Sequence, residues 1–423
     1  MRLRVFARET LFDVTPPLAV PTLLLEGSWP QPVPDRWSLD EAVDGRQAWI
    51  EQEAAALAER LVPSSDIAAP TAWPLYLNAV ELRHHLVKLL RAIAYFTEVR
   101  PLTAGDTLEL IARRPGDQLY ADLLRQLAAS AGAELWVRWV TAAAAAETSF
   151  PANGLLRRWA GQVAAWVDCL ARNRCSGPRA VCCGRPQVLD PVCRELLASG
   201  AAVWWLHDRF EPRAWLDGQS RGLRHLVCNS SRGRHNEILG ELPGVLDCRG
   251  VNLTPLVARW LSDRMLTHGR QQTRLLEQLR RHFARVQPEI VVLDEDASPL
   301  ARAAVAVGRQ CGAVSLVVQH AAPSCRFDFT PLAADRILVW GRSSRRQLMH
   351  WGVPAERIAV VGAPRAEQKA ASDAPSLDAV SNGDAKSLAR IVQECLAARS
   401  VPVVEPATQA DAEEAPASST KAA

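Results

Sequence analysis

Between residues 178 and 365, short apolar runs closed by polar or glycine residues alternate with stretches of helical period. Runs at Arg179–Cys183, Ala201–Leu206, Leu223–Cys228, Glu289–Leu293, Val314–Val318, Asp335–Val339 and Arg357–Val361 predict strands, and helices are predicted at Asp190–Ala198, Thr254–Arg285, Pro299–Cys311 and Ser343–Trp351. A run such as AVSLVV at 313–318 is apolar on both faces. Strands of that kind are buried in parallel sheets, and their polar loops gather at the carboxyl ends.

Residues 1–150 show a looser version of the same pattern. Strands are predicted at Leu3–Phe6, Thr22–Glu26, Thr107–Ala112 and Glu134–Val140, and helices at Asp40–Leu61, Leu75–Glu98 and Gln118–Gly132. In the second of these helices Leu82, Leu86, Leu89, Leu90 and Ile93 share one face. The expected fold class is α/β, with two Rossmann-like parallel-sheet units at 1–150 and 178–365 joined by a linker helix within 151–177. The 58 residues from 366 to 423 contain no Phe, Trp or Tyr and predict a flexible tail. One island near 384–399 keeps helical spacing at Leu388, Ile391, Val392, Cys395 and Leu396, with Asp384 placed to cap it.

Composition narrows the functional classes. With 48% hydrophobic and 22% charged residues, the chain reads as a packed soluble protein. The net charge is +3; the tail carries −4 and the body +7, and the arginines are spread rather than clustered. That argues against dedicated nucleic-acid binding. Of the ten cysteines none lies in a C-x-x-C pair or is spaced with histidine like a zinc finger, so reduced thiols are expected. No signal-peptide core and no run long enough to span a membrane is visible, which predicts a cytoplasmic location with peripheral membrane contact still open.

The candidate chemistry lies at the strand ends of the 178–365 unit, where open parallel sheets bind ligands. His320 follows the apolar strand at 314–318 and is placed to act as a base; Asp294, Glu295 and Asp296 put three carboxylates on one turn. One of them could take a proton from an acceptor hydroxyl and two could hold Mg²⁺, while Asp296 or Ser298 could equally cap the next helix. Gly184, Asp208, Arg209, Gln319, Arg326, Gly341, Ser343, Gly362 and Arg365 are candidates for binding substrate through turn amides, helix-start hydroxyls and guanidinium groups. The strand ends of the 1–150 unit show no comparable polar clusters, and Trp136, Trp139, Trp204 and Trp205 are expected to pack rather than to stack on sugars. No nucleotide fingerprint of the G-x-G-x-x-G or G-x-x-x-x-G-K type is present.

The run from 317 to 365 resembles the end of the N-terminal domain of GT-B-type glycosyltransferases of bacterial surface and capsular polysaccharide biosynthesis. CDP-glycerol glycerophosphotransferases and UDP-N-acetylglucosamine 2-epimerases share that architecture. The resemblance rests on Gln319-His320 at a strand end, Ala334-Asp335-Arg336 opening the next strand, the turn from Gly352 to Ile358, and Gly362-Ala363-Pro364. It implies transfer of a sugar or polyol phosphate from a nucleotide donor to an acceptor hydroxyl. It also implies a nucleotide-sugar-binding second domain after the Gly-x-Pro strand. The tail is too short and too polar to build one, and Ala321 stands where the family pattern has glycine. Two alternatives follow: a truncated non-catalytic paralogue that binds carbohydrate or nucleotide or scaffolds a complete glycosyltransferase, and an enzyme resembling the sugar-nucleotide epimerases.

Overall fold

The computed structural model describes residues 2–8, 11, 20–28, 36–61, 73–113, 117–140, 177–208, 212–228 and 245–362. The linker helix, Arg209, Arg365 and the helix expected near 384–399 lie outside them. The described residues form an α/β protein with two parallel sheets flanked by helices.

The first sheet has five strands: β1 (Arg2–Arg8), β2 (Thr22–Glu26), β3 (Arg36–Ser38), β4 (Thr107–Arg113) and β5 (Glu134–Val140). Their order is β3-β2-β1-β4-β5, all pairs parallel. The chain winds outward from β1 to β3 and then returns to β4 on the other side, so the winding reverses between β1 and β4. Central β1 is buried on both faces, which is why its residues 3–7 read as near-continuous apolar sequence. Edge strand β5 alternates instead, and Trp136 is 61% exposed, so of core and interface packing it does not belong to the core. Trp139 is partly buried against the core, and Trp204 and Trp205 are fully enclosed.

Helices α1 (Leu39–Ala42), α2 (Gln47–Leu61), α3 (Trp73–Leu77), α4 (Ala79–Ala94) and α5 (Gln118–Ala131) accompany this sheet. The single helix expected over 75–98 divides at Asn78 and ends in a π-helical turn at Tyr95–Val99. The Asn78 amide donates to the Pro74 carbonyl (2.7 Å) and exchanges hydrogen bonds with Gln272, side-chain bonding that competes with a continuous helix.

The second sheet has seven parallel strands: β6 (Arg179–Cys183), β7 (Ala202–His207), β8 (Arg224–Val227), β11 (Ile290–Leu293), β12 (Val314–Val318), β13 (Arg336–Val339) and β14 (Ile358–Val360). A two-stranded hairpin, β9 (Asp247–Cys248) with β10 (Val251–Asn252), lies between β8 and β11 in sequence. The order β14-β13-β12-β11-β6-β7-β8 reverses its winding between β6 and β11. Alternate residues feed two cores. Val181, Cys183, Val291, Leu293 and Val317 face α8 (Thr254–Val286) and α9 (Pro299–Gln310). Ala180, Cys182, Ile290, Val292, Leu316 and Val318 face α6 (Pro186–Ala198). Helices α7 (Pro212–Ser220) and α10 (Arg342–His350) complete the set.

The 33-residue α8 links the two cores. Its first turns place Leu256, Val257 and Leu261 in the core of the first sheet, and Leu275, Leu276, Leu279 and Phe283 enter the core of the second. At about 1.5 Å per residue it spans roughly 50 Å. A buried contact from Arg302 Nε to the Tyr76 carbonyl (2.9 Å) adds a second tie, from α9 to α3.

Candidate functional site

The two reversal points are the natural ligand positions of these sheets, and both carry the same device. In the second sheet, Arg185 follows β6 and Asp294 follows β11. The Asp294 carboxylate accepts from the Arg185 backbone N–H (3.0 Å) and from its Nε (2.5 Å). The Asp294 side chain is almost fully enclosed, whereas that of Arg185 is 52% exposed. A buried carboxylate thus braces a guanidinium whose Nη groups take no partner among the described residues. In the first sheet, Asp117 after β4 accepts from Arg8 Nε (2.7 Å) and from the Arg113 backbone N–H (2.8 Å).

This second pair corrects the expectation that the strand ends of the first sheet lack polar clusters. Arg8, Glu26, His85, Lys88, Tyr120 and Arg259 line a cavity of about 240 Å³ there. Its charges are largely spent on one another: Glu26 accepts from Lys88 and from the Tyr120 hydroxyl, and Arg259 pairs with Asp122. The hydrogen bonds from Tyr120 and Lys88 hold the Glu26 carboxyl below its usual value despite its burial.

Gly184 has a specific structural reason. Its φ is +152°, and a Cβ there would stand 2.2 Å from Asp294 Oδ1 and 2.9 Å from Asp294 Cβ. The residue is glycine so that the Asp294 side chain can reach Arg185. Gly184→Ala is expected to lower stability by about 2–3 kcal/mol, through backbone strain and overpacking together. Urea unfolding with an unchanged slope checks this, and a midpoint equal to wild type would show that the Asp294 contact is dispensable.

His320 completes the cluster. Its Nδ1 lies 2.7 Å from the Asp294 carbonyl oxygen, which can only accept, so Nδ1 carries the proton and Nε2 presents a lone pair. The ring stacks on Phe329 at 6.0 Å between centroids. Asp294 therefore holds Arg185 through its carboxylate and His320 through its carbonyl.

The three consecutive carboxylates do not converge. Glu295 accepts from the Ala297 and Ser298 amides (2.6 and 2.8 Å) and so caps its own turn. Buried Asp296 accepts from the amides of Ala333 and Ala334, the latter at 3.0 Å, and clamps the loop before β13. Burial pushes its carboxyl above the ordinary aspartate value, against the pull of Arg302. Ser298 caps α9, accepting from the Ala301 amide.

Gln319 is fully enclosed and fully used. It accepts from the Trp340 amide and donates to the Ala321 carbonyl and to Ser344 Oγ, pinning β12 to β13 and to the start of α10. Ser343 is exposed at that helix start. Gly341 has φ −164°, extended backbone that any residue adopts, with open space where a Cβ would be. Gly362 has φ +83° just past β14, and Asp208 is exposed just past β7. Arg326 lies elsewhere: one of its Nη groups donates to the Trp351 carbonyl at the end of α10, away from the carboxyl ends of the strands.

At the end of β7, His207 Nε2 meets His225 Nδ1 at 2.9 Å. Burial, and then His225, lowers His207 to about 4. Its value in the unfolded chain is about 6.5. The folded state therefore binds fewer protons between these values, so the stabilisation is present above about pH 6.5 and is lost as pH falls toward 4. His207→Gln should flatten that loss, whose steepest slope is about 1.4 kcal/mol per pH unit for one proton. Thermal midpoints from pH 8 to 4.5 check it, and identical slopes in both proteins would refute it.

Among the described residues one group of three could hold a metal ion: His84, Cys325 and Asp328, with ligand atoms within 4.8 Å of one another. None of the described helices is long and apolar enough to cross a membrane.

No protein-family model and no curated protein matches the chain. Among solved structures, the UDP-N-acetylglucosamine 2-epimerase from Rickettsia bellii is similar over 45% of this chain and 46% of its own, at 11% identity and a TM-score of 0.28, a likeness that speaks to neither reaction nor substrate.

Proposed function

We propose that this chain is a glycosyltransferase-like protein of bacterial surface carbohydrate biosynthesis, transferring a sugar or polyol phosphate from a nucleotide donor to an acceptor hydroxyl. The observation that carries the reading is His320, oriented by the Asp294 carbonyl at the reversal point of the sheet, with Arg185 braced on the same residue. The motifs around Gln319-His320, Ala334-Asp335-Arg336 and Gly362, which resemble those of GT-B-type enzymes, support the substrate class.

In this mechanism the acceptor hydroxyl gives its proton to His320 Nε2. Its oxygen attacks the anomeric carbon of the donor, or the phosphorus if a polyol phosphate is moved, and the nucleotide departs carrying the bond's electron pair. Arg185 offers its Nη groups to the negative charge that collects on the leaving phosphate. Asp208 and the backbone at Gly362 would position the sugar or nucleotide. The catalytic candidates reduce to His320 with Asp294 as its positioning residue, since Glu295 and Asp296 are held by amides.

Those commitments, and that of Gln319, favour a second reading in which the site binds carbohydrate or nucleotide without turnover, beside a complete glycosyltransferase. Titration calorimetry with UDP-, CDP- and GDP-sugars tests both readings. Binding of one donor class followed by release of its nucleotide in the presence of acceptor supports transfer. Binding without release supports the scaffold. Folded protein that binds none removes the site.

A further inference from the structure

Arg83 of α4 is only 3% exposed, yet among the described residues no carboxylate pairs with it. Among those residues its side chain donates to the Ala79 carbonyl on its own helix (3.2 Å). Buried arginine is rare without a counter-ion, because desolvating the charge costs several kcal/mol. Nearby Arg302 is balanced by buried Asp296 and by backbone carbonyls. Arg83 instead faces Arg326, whose Nε is buried and has no hydrogen-bond partner among the described residues. Burial first, and then Arg302 and Arg326, draw Arg83 down to about 10 against the partial attraction of Glu59, so it stays charged at neutral pH.

The two arginines share a cavity of about 160 Å³, which Arg357, Glu59 and Thr330 also line. Arg357 spends its guanidinium on the carbonyls of Leu332, Ala334 and Asp335. Among the described residues lining the cavity Glu59 is the one carboxylate; it is exposed, attracts Arg83 from a distance and forms no ion pair with the arginines. The cavity lies between α2 and α4 on one side and the 326–332 loop and the 351–357 turn on the other. Its volume is below the roughly 300–1,000 Å³ of pockets that enclose drug-sized ligands. It suits a single tetrahedral oxyanion and a few waters.

We infer that this junction is a binding site for a phosphate-class oxyanion, either free phosphate or the phosphate end of a metabolite, held by Arg83 and Arg326. The site lies apart from the His320 cluster and does not depend on the transfer reading. Occupancy would neutralise the two guanidinium groups and fasten the 326–332 loop to α4. That loop carries Phe329, which stacks on His320.

The test is thermal unfolding of the full chain in inorganic phosphate against chloride at matched ionic strength. Wild type should gain several degrees with saturating phosphate. Arg326→Gln should lose that gain, and Arg185→Ala should keep it. Arg326 is chosen over Arg83 because its side chain comes from a loop and its replacement leaves the helix core intact. No phosphate-dependent rise overturns the inference, as does a rise that Arg326→Gln keeps in full. A rise that Arg185→Ala removes overturns it too, by moving the phosphate to the sheet edge.

Discussion

His320→Asn is expected to abolish transfer while leaving the fold intact. The asparagine Nδ2 occupies nearly the position of the imidazole Nδ1, so the hydrogen bond to the Asp294 carbonyl survives. What disappears is Nε2, the atom assigned to the acceptor's proton. Loss of a positioned general base costs about 10²–10⁴ in rate. His320→Ala should lose the same activity and in addition about 1–2 kcal/mol, from the missing hydrogen bond and the Phe329 stack. The comparison separates chemistry from structure. Steady-state rates and thermal midpoints of both variants are the measurement. An Asn variant that turns over like wild type would sink the assignment, and an Asn variant that fails to fold would make His320 a structural residue.

Asp296→Ala is expected to have the largest effect on stability, about 3 kcal/mol or more. The substitution strands the Ala333 and Ala334 amides, which share its carboxylate, and leaves buried Arg302 with backbone carbonyls alone. Asp296→Asn keeps an acceptor for the amides and should lose distinctly less. Urea unfolding distinguishes the two. Equal midpoints for Asp296→Ala and wild type would mean that the loop before β13 holds without its clamp. Activity should fall in these variants only as the folded fraction falls, because Asp296 contacts neither His320 nor Arg185.

The strands of the second sheet were legible because parallel strands buried on both faces read as unbroken apolar runs. β6 and β12 match the predicted bounds residue for residue, and the others do so within a residue or two. Helix α6 begins at Pro186 rather than near Asp190, since proline suits the first helical turn. β3, α7 and the β9–β10 hairpin were missed; each is short and carries little apolar pattern.

Strand-end position places Asp294 and His320 at one edge, where they are hydrogen-bonded neighbours, but residue type alone does not tell which polar groups stay free. Glu295 and Asp296, candidates for catalysis, are held by backbone amides, and Gln319, a candidate for binding substrate, by the Trp340 amide, the Ala321 carbonyl and Ser344, partners that leave no mark in the sequence. Arg185 belongs to the polar strand end at 184–186, but nothing in the sequence singles it out from its neighbours. Its contact with Asp294 depends on β11 lying beside β6, and strand order is not readable from one chain. Arg326 is expected at the ligand edge of the strands, but the 319–335 crossover carries it away from their carboxyl ends.

The central claim is the location of the ligand: the reversal point between β6 and β11 rather than the matching point of the first sheet. Photo-crosslinking with an azido-UDP analogue, followed by peptide mapping, tests it most directly. The account predicts label on residues 184–186 and 319–321, competed away by unlabelled donor and lost in Arg185→Ala. Label confined to the cavity around Arg8, Lys88 and Tyr120, or label insensitive to Arg185→Ala, would contradict it.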